Sequence, residues 1–282
     1  MTRTVQIAVL IYLSFWLTGC PAPEEKTPWD DIKIKDLSPR YSDSNSQEKH
    51  LQTINFDLHI YEIPIDNINK LDDIRRELDT RPLRYNSRLA FSANSFSAYF
   101  GRLREWNTAI DLLIAAGGER RTRISLLLPD GQFEDVTVAG FDYPLTIFFI
   151  SSRNSKEGAR VEPGMLSMRI KAATSPTPTS ISNITVYPVF LAPTNSTIPE
   201  LDARIKLREF PFTAAAFGLN MNPGDFFFLA PEKYNDDSSS LCSLFFNNSK
   251  GSLFFNKDNK RNPPELKPAV RVYMLTCTGI NN

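Results

Sequence analysis

Residues 54–63 read INFDLHIYEI. Ile54, Phe56, Leu58 and Ile60 alternate with Asn55, Asp57, His59 and Tyr61, the period of a strand with one face buried. Directly after it, Asp66 is placed to cap a helix whose apolar stripe is Ile68, Leu71, Ile74 and Leu78. Lys70, Asp72, Arg75, Arg76 and Glu77 take its outer face. A strand followed by an amphipathic helix sets the first expectation, a mixed body in which sheet and helix each contribute to the core.

Working towards the C-terminus, two further helices are expected. One covers about Ser95 to Arg104. The other places Trp106, Ile110, Leu113 and Ile114 on one side and stops at Gly117-Gly118. Beyond that the texture is strand. Pro129-Asp130-Gly131 separates two apolar runs as a hairpin turn would. PLTIFFIS (144–151) is continuously apolar and reads as a central strand. LSMRIKA (166–172) alternates strictly, TSPTPTS (174–180) is an exposed loop, and NITVYPVFLA (183–192), ARIKLREF (203–210) and AVRVYMLTCTGI (269–280) are strands. SLFFN occurs at 243 and again at 252, around NSKG, which fits a hairpin of two similar strands. The expected class is α+β: strand-rich, with antiparallel sheets and two or three helices in the N-terminal half. A change of texture near 193 divides the expected body into an α+β domain (51–192) and a β-rich C-terminal subdomain (193–282).

Working towards the N-terminus, residues 21–50 are rich in Pro, Ser and charge and carry no apolar period, as a tether does. Ahead of them, Arg3 opens a short positive region and Ile7 to Leu17 form an uncharged apolar run. That run is too short for a permanent span, which needs about 20 residues. A positive start, a short apolar core and a small-residue end make a secretory signal over residues 1–19. Its last four residues, LTGC (17–20), resemble the lipobox of bacterial lipoproteins, with Leu17 at −3, Gly19 at −1 and Cys20 at +1. The resemblance implies cleavage after Gly19 and acylation of Cys20, palmitate among its chains, whose thiolate is the nucleophile. Two or more chains hold a protein to a bilayer where one does not. Pro21 at +2, in place of Asp, implies the outer membrane by the rule of Escherichia-type bacteria, with the body facing the periplasm. An ordinary cleaved signal ending near a Cys is the alternative.

Charge and cysteine usage narrow the class. Thirty-two basic side chains balance thirty-two acidic ones, and the first nineteen residues hold one of the basic ones, Arg3. Near-neutrality speaks against a nucleic-acid partner. Cys242 and Cys277 remain after Cys20, and in an exported chain two thiols most simply bridge; two buried free thiols are the alternative.

Few residues carry chemistry. Asp57, His59 and Tyr61 form a row on the polar side of the first strand, suited to proton transfer or, more plainly, to a solvated face. No nucleophile elbow, zinc motif, CxxC or P-loop is present, so no catalytic residue, metal or cofactor is assigned. DSNSQ (43–47) lacks the Gly and Glu of a calcium loop, and NDDSSS (235–240) reads as a polar loop. Two sets of residues are candidates for contact. Arg169 and Lys171 with Arg204, Lys206 and Arg208 make basic strand faces suited to anionic headgroups or wall polymer. Phe226, Phe227 and Phe228 either lie in a sheet covered on both sides or expose one face to a partner.

The stretches LHIYEIPIDNINKLDDIRREL (58–78), NSFSAYFGRLREW (94–106) and VEPGMLSMRI (161–170) resemble uncharacterised exported proteins of the planctomycete type, and that resemblance implies no activity. The expected function is a lipid-anchored envelope protein, non-enzymatic, structural, assembly or binding in role, held to the bilayer through Cys20 and working in an envelope complex. The alternative is an envelope hydrolase using carboxylates on glycan or peptide.

Overall fold

Strand β1 (Thr53–Pro64) is an interior strand of a six-stranded antiparallel sheet. On one side it pairs with β14 (Glu265–Asn281) and on the other with β4 (Glu119–Pro129). The sheet continues through β12 (Phe226–Pro231) to β3 (Phe96–Gly101), and β13 (Asn247–Phe254) also lies along β14. A second six-stranded sheet runs β2 (Arg84–Tyr85), β11 (Phe217–Met221), β9 (Ser182–Pro193), β8 (Gly164–Thr174), β5 (Phe133–Phe141), with β10 (Leu207–Pro211) against β9. Strands β6 (Leu145–Ile150) and β7 (Lys156–Val161) form a separate ribbon. This computed structural model describes residues 52–175, 182–193, 207–254 and 265–281. Gly19, Cys20, the tether, Arg204 and Lys206 lie outside the described residues.

The alternation in β1 decides where each side of the strand packs. Ile54, Phe56 and Leu58 face the main core, meeting Phe227, Leu229 and Leu275 of their own sheet and Leu166, Met168, Ile170, Val186 and Phe217 of the second. Burying each such side chain contributes about 1.5–3 kcal/mol. The other face, expected to be solvated, is covered by helices. Tyr61 and Ile63 join Leu71 and Ile74 of α1 (Leu71–Glu77) and Ala109 and Leu113 of α3 (Leu103–Ala115) in a second core. A sheet with apolar side chains on both faces needs a layer on each.

The structure is mostly β, with α1, α2 (Arg88–Ala93), α3 and α4 (Leu241–Phe246) as its described α-helices. Four sequence expectations are corrected. Residues 96–101 are strand β3, between α2 and α3, because Phe96, Ala98 and Phe100 alternate into the main core and pair with β12. Gly101 is required there: a Cβ would lie 2.3 Å from Cζ of Phe226. Pro129-Asp130-Gly131 is a turn, with Gly131 at φ +77°, but its two strands belong to different sheets. The amide of Asp130 donates to Gln52 O and that of Gly131 to Ala172 O, so the turn joins the sheets at a corner. PLTIFFIS supplies β6, which pairs with β7 as a two-stranded ribbon outside both sheets, touches the chain at Ser240 through one isolated bridge, and leaves Phe148 37% exposed. The two SLFFN copies adopt different structures. Ser240 caps α4 by accepting from Ser243 N and makes the first copy helical, while Ser252-Leu253-Phe254 belongs to β13.

Strands from both sides of residue 193 share both sheets: β12 pairs with β3, β14 with β1, and β10 and β11 with β9. The hydrogen bonding therefore does not divide at 193.

Candidate functional site

Of the Asp57–His59–Tyr61 row, His59 and Tyr61 lie beneath α3, and Asp57 faces side chains of β4. Its members do not bond one another. The Asp57 carboxylate accepts from Arg123 Nη2 at 2.6 Å and Ser125 Oγ at 2.6 Å. The Arg123 hydrogen bond holds its pKa below the ordinary aspartate value. His59 is 7% exposed, meets Trp106 of α3 edge-on at 5.2 Å, and its Nδ1 has no hydrogen-bond partner among the described residues. Burial, then Arg123 and Arg120, lower its pKa. The imidazole packs against the indole and is bonded to neither Asp57 nor Tyr61 among the described residues.

Glu62, one residue beyond that row, was not singled out by its sequence context. It is 6% exposed and accepts from Arg121 Nε at 2.9 Å, Arg271 Nε at 3.2 Å, Asn248 Nδ2 at 2.9 Å and Ser252 Oγ. Burial alone raises the pKa of this carboxyl. The bonds from Ser252, Asn248, Arg121 and Arg271 outweigh burial and leave it below the ordinary glutamate value. Arg271 Nη1 also reaches Val138 O of β5, so one carboxylate ties four strands of the first sheet to the second. The four donors satisfy the buried charge, the condition under which an interior ion pair is tolerated.

The basic strand face is neutralised at its centre. Arg169 is 6% exposed. It grips Asp135 with Nε and Nη2, both at 2.7 Å, and Glu209 with Nη1 at 2.6 Å and Nη2 at 3.0 Å. Its guanidinium also stands 4.0 Å from the Phe133 ring centroid. Two carboxylates on one guanidinium leave no free cation there for an anionic surface. Lys171 and Arg208 are exposed.

The aromatic run offers no contact face, since Phe226, Phe227 and Phe228 are fully buried. Phe227 enters the core between the sheets and its two neighbours enter the core under the helices. Cys242 and Cys277 are buried free thiols with different surroundings, and not a bridge. Cys242 Sγ donates to Ser95 O at 3.5 Å, and Cys277 Sγ lies 4.0 Å from Ser182 Oγ. Burial pushes the Cys242 thiol up to about 12, which keeps it protonated and unreactive.

One cleft of about 190 Å³ opens where three segments meet: the α2–β3 junction at Ala93–Ser95, the β6–β7 ribbon at Phe148–Ile150 and Lys156, and the chain from Asn235 to Cys242. The α2–β3 junction is tightly built. Ser95 has φ +60°, an uncommon backbone for a residue with a side chain. Asn94 Nδ2 donates to Ala90 O and to Ile150 O, both at 2.7 Å, and its Oδ1 accepts from Ile150 N at 2.8 Å. That amide clamps the ribbon to the helix. A bond from Phe148 N to Ser239 O attaches the third wall. Among the described residues, Asp237 is the one carboxylate in the lining and Lys156 the one ammonium. Among the described residues no group of three or more His, Cys, Asp or Glu is placed to hold a metal ion.

No family model matches this chain, and no curated protein does. Among solved structures it is similar to the InvG secretin domain β-barrel from the Salmonella SPI-1 injectisome NC-base, at 12% identity and a TM-score of 0.20. That match covers 82% of this chain and 63% of the other, so the chain spans less than two thirds of that structure. A TM-score of 0.20 carries no statement about this chain's fold or function.

Proposed function

We propose that this protein is a lipid-anchored component of the bacterial cell envelope whose β-rich body acts by binding. Acylated Cys20 holds it to the outer membrane, residues 20–50 are the tether, and the body faces the periplasm in an envelope complex. The observation that carries the anchor is LTGC behind a short apolar run. The body's geometry supports a binding role over a catalytic one. Asp57, Glu62 and Arg169 are each held by bonds that fasten strands together. The cleft walls, by contrast, are fixed by internal bonds, and the charged groups in the lining, Lys156 and Asp237, are exposed. A carboxylate hydrolase needs two carboxyls about 5–10 Å apart across one site, and among the described residues the cleft lining supplies Asp237 alone.

Capture of the tagged full-length chain from envelope extracts in mild detergent tests this. The reading expects a co-purifying envelope component. A bare monomer with nothing retained contradicts it.

A further inference from the structure

The cleft's polar groups divide into those already satisfied and those left over. Asn94 spends both ends of its amide on Ala90 and Ile150. Ser240 Oγ accepts from Ser243 N and Asn235 Nδ2 and donates to Ser243 Oγ at 3.0 Å. Cys242 donates its proton to Ser95 O. Two groups remain. The Lys156 ammonium stands 5.1 Å from the Phe148 ring centroid, and among the described residues it has no ion-pair partner. The Asp237 carboxylate accepts from Ser239 N through Oδ1 at 3.1 Å, and its Oδ2 is unused among the described residues. One cation and one anion thus border a small cleft without contacting each other, beside the side chains of Phe148, Phe149 and Leu241.

We propose that this cleft binds a small zwitterion, a free α-amino acid or a dipeptide, with Lys156 on its carboxylate and Asp237 on its ammonium. The proposal rests on the reading of the body as a binding module and names the ligand of that cleft. A simple anion would satisfy Lys156 but meet repulsion at Asp237, and a simple cation would do the reverse. A neutral sugar would draw water from both charges and return neither a counter-charge. A zwitterion satisfies both with charge-assisted bonds, the stronger kind. Size agrees: 190 Å³ is below the several hundred Å³ of a drug-sized site, and is suited to one amino-acid unit with its side chain against Phe148.

The test is calorimetric titration of the full chain in mild detergent with L-leucine, with L-alanyl-L-alanine, with the half-ligands acetate and ethylammonium, and with glucose. The zwitterions are expected to bind, and each half-ligand to bind about tenfold or more weaker, the size of one lost charge-assisted bond. Lys156→Met and Asp237→Asn should each weaken the zwitterion by a similar factor and leave the melting temperature unchanged, because both side chains are exposed. Zwitterion affinity indifferent to both substitutions overturns the proposal. So does silence from both zwitterions up to about 10 mM. Glucose binding that is lost in Phe148→Ala would also overturn the zwitterion while leaving the binding module standing. The envelope capture judges the binding module separately.

Discussion

Replacing Glu62 by alanine removes the single acceptor on which Arg121, Arg271, Asn248 and Ser252 converge. The carboxylate side chain is 7% exposed, and the two guanidiniums beside it are 29% and 24% exposed. Water cannot fully replace the lost partner there. Arg121 keeps Glu119 at 2.8 Å, but Arg271 loses its carboxylate. Removing one member of a buried pair costs about 3–5 kcal/mol, because an uncompensated charge is left behind. For a body of this size the urea slope is about 2–3 kcal/mol per M, so the midpoint should fall by about 1–2 M at constant slope. Asp73→Ala is the control. Its pair with Arg76 has side chains 57% and 76% exposed, and its loss should change stability by less than about 0.5 kcal/mol. Combining Glu62→Ala with Arg271→Leu should recover part of the loss, since the stranded guanidinium is gone; the coupling in such a cycle is about 1 kcal/mol or more for contacting residues. A midpoint shift for Glu62→Ala below about 0.3 M would refute the reasoning, since it would mean less than about 1 kcal/mol at a site argued to be dry.

Two further outcomes are expected. Stability should be level between about pH 6.5 and 8 and decline below about 6.5, because the fold lowers the His59 pKa and the unfolded chain takes up a proton there that the fold resists. A second, steeper decline should begin below about pH 4.5 as Asp57, Glu62 and Glu209, all depressed in the fold, are protonated. Urea midpoints across pH 3–8 check both, and His59→Leu should abolish the upper step. Cys242 and Cys277 should resist a thiol reagent in the native chain and both react on unfolding without reductant, since they are buried and unbridged. An unfolded, unreduced chain with neither thiol reactive contradicts this.

The sequence makes some of this fold legible and hides the rest for physical reasons. The inner face of β1 is readable because Ile54, Phe56 and Leu58 repeat at the strand period, and that local pattern survives packing. The outer face is not, because His59 looks solvated until Trp106 of α3, some fifty residues later, covers it, and Asp57 until Arg123 and Ser125 of β4 close on it. Gly131 announces a reversal, yet turn chemistry fixes a bend and leaves partner choice open, and the partners are in different sheets. The repeated SLFFN shows the same limit, since a cap at Ser240 decides helix for one copy and pairing with β14 decides strand for the other. In residues 166–172 the alternation of β8 was plain. What could not be read was that Asp135 and Glu209, from β5 and β10, neutralise Arg169. The cleft was invisible for the same reason, being assembled from three distant segments, none with a motif of its own.

The most direct test of the anchored-envelope account is the mass of the N-terminal peptide of the mature, membrane-extracted protein. The account predicts a chain shortened by nineteen residues and beginning at an acylated Cys20, with Cys20→Ser yielding no acylated form. A wild-type protein whose N-terminal peptide carries Cys20 without lipid, or whose cleavage falls elsewhere, contradicts it.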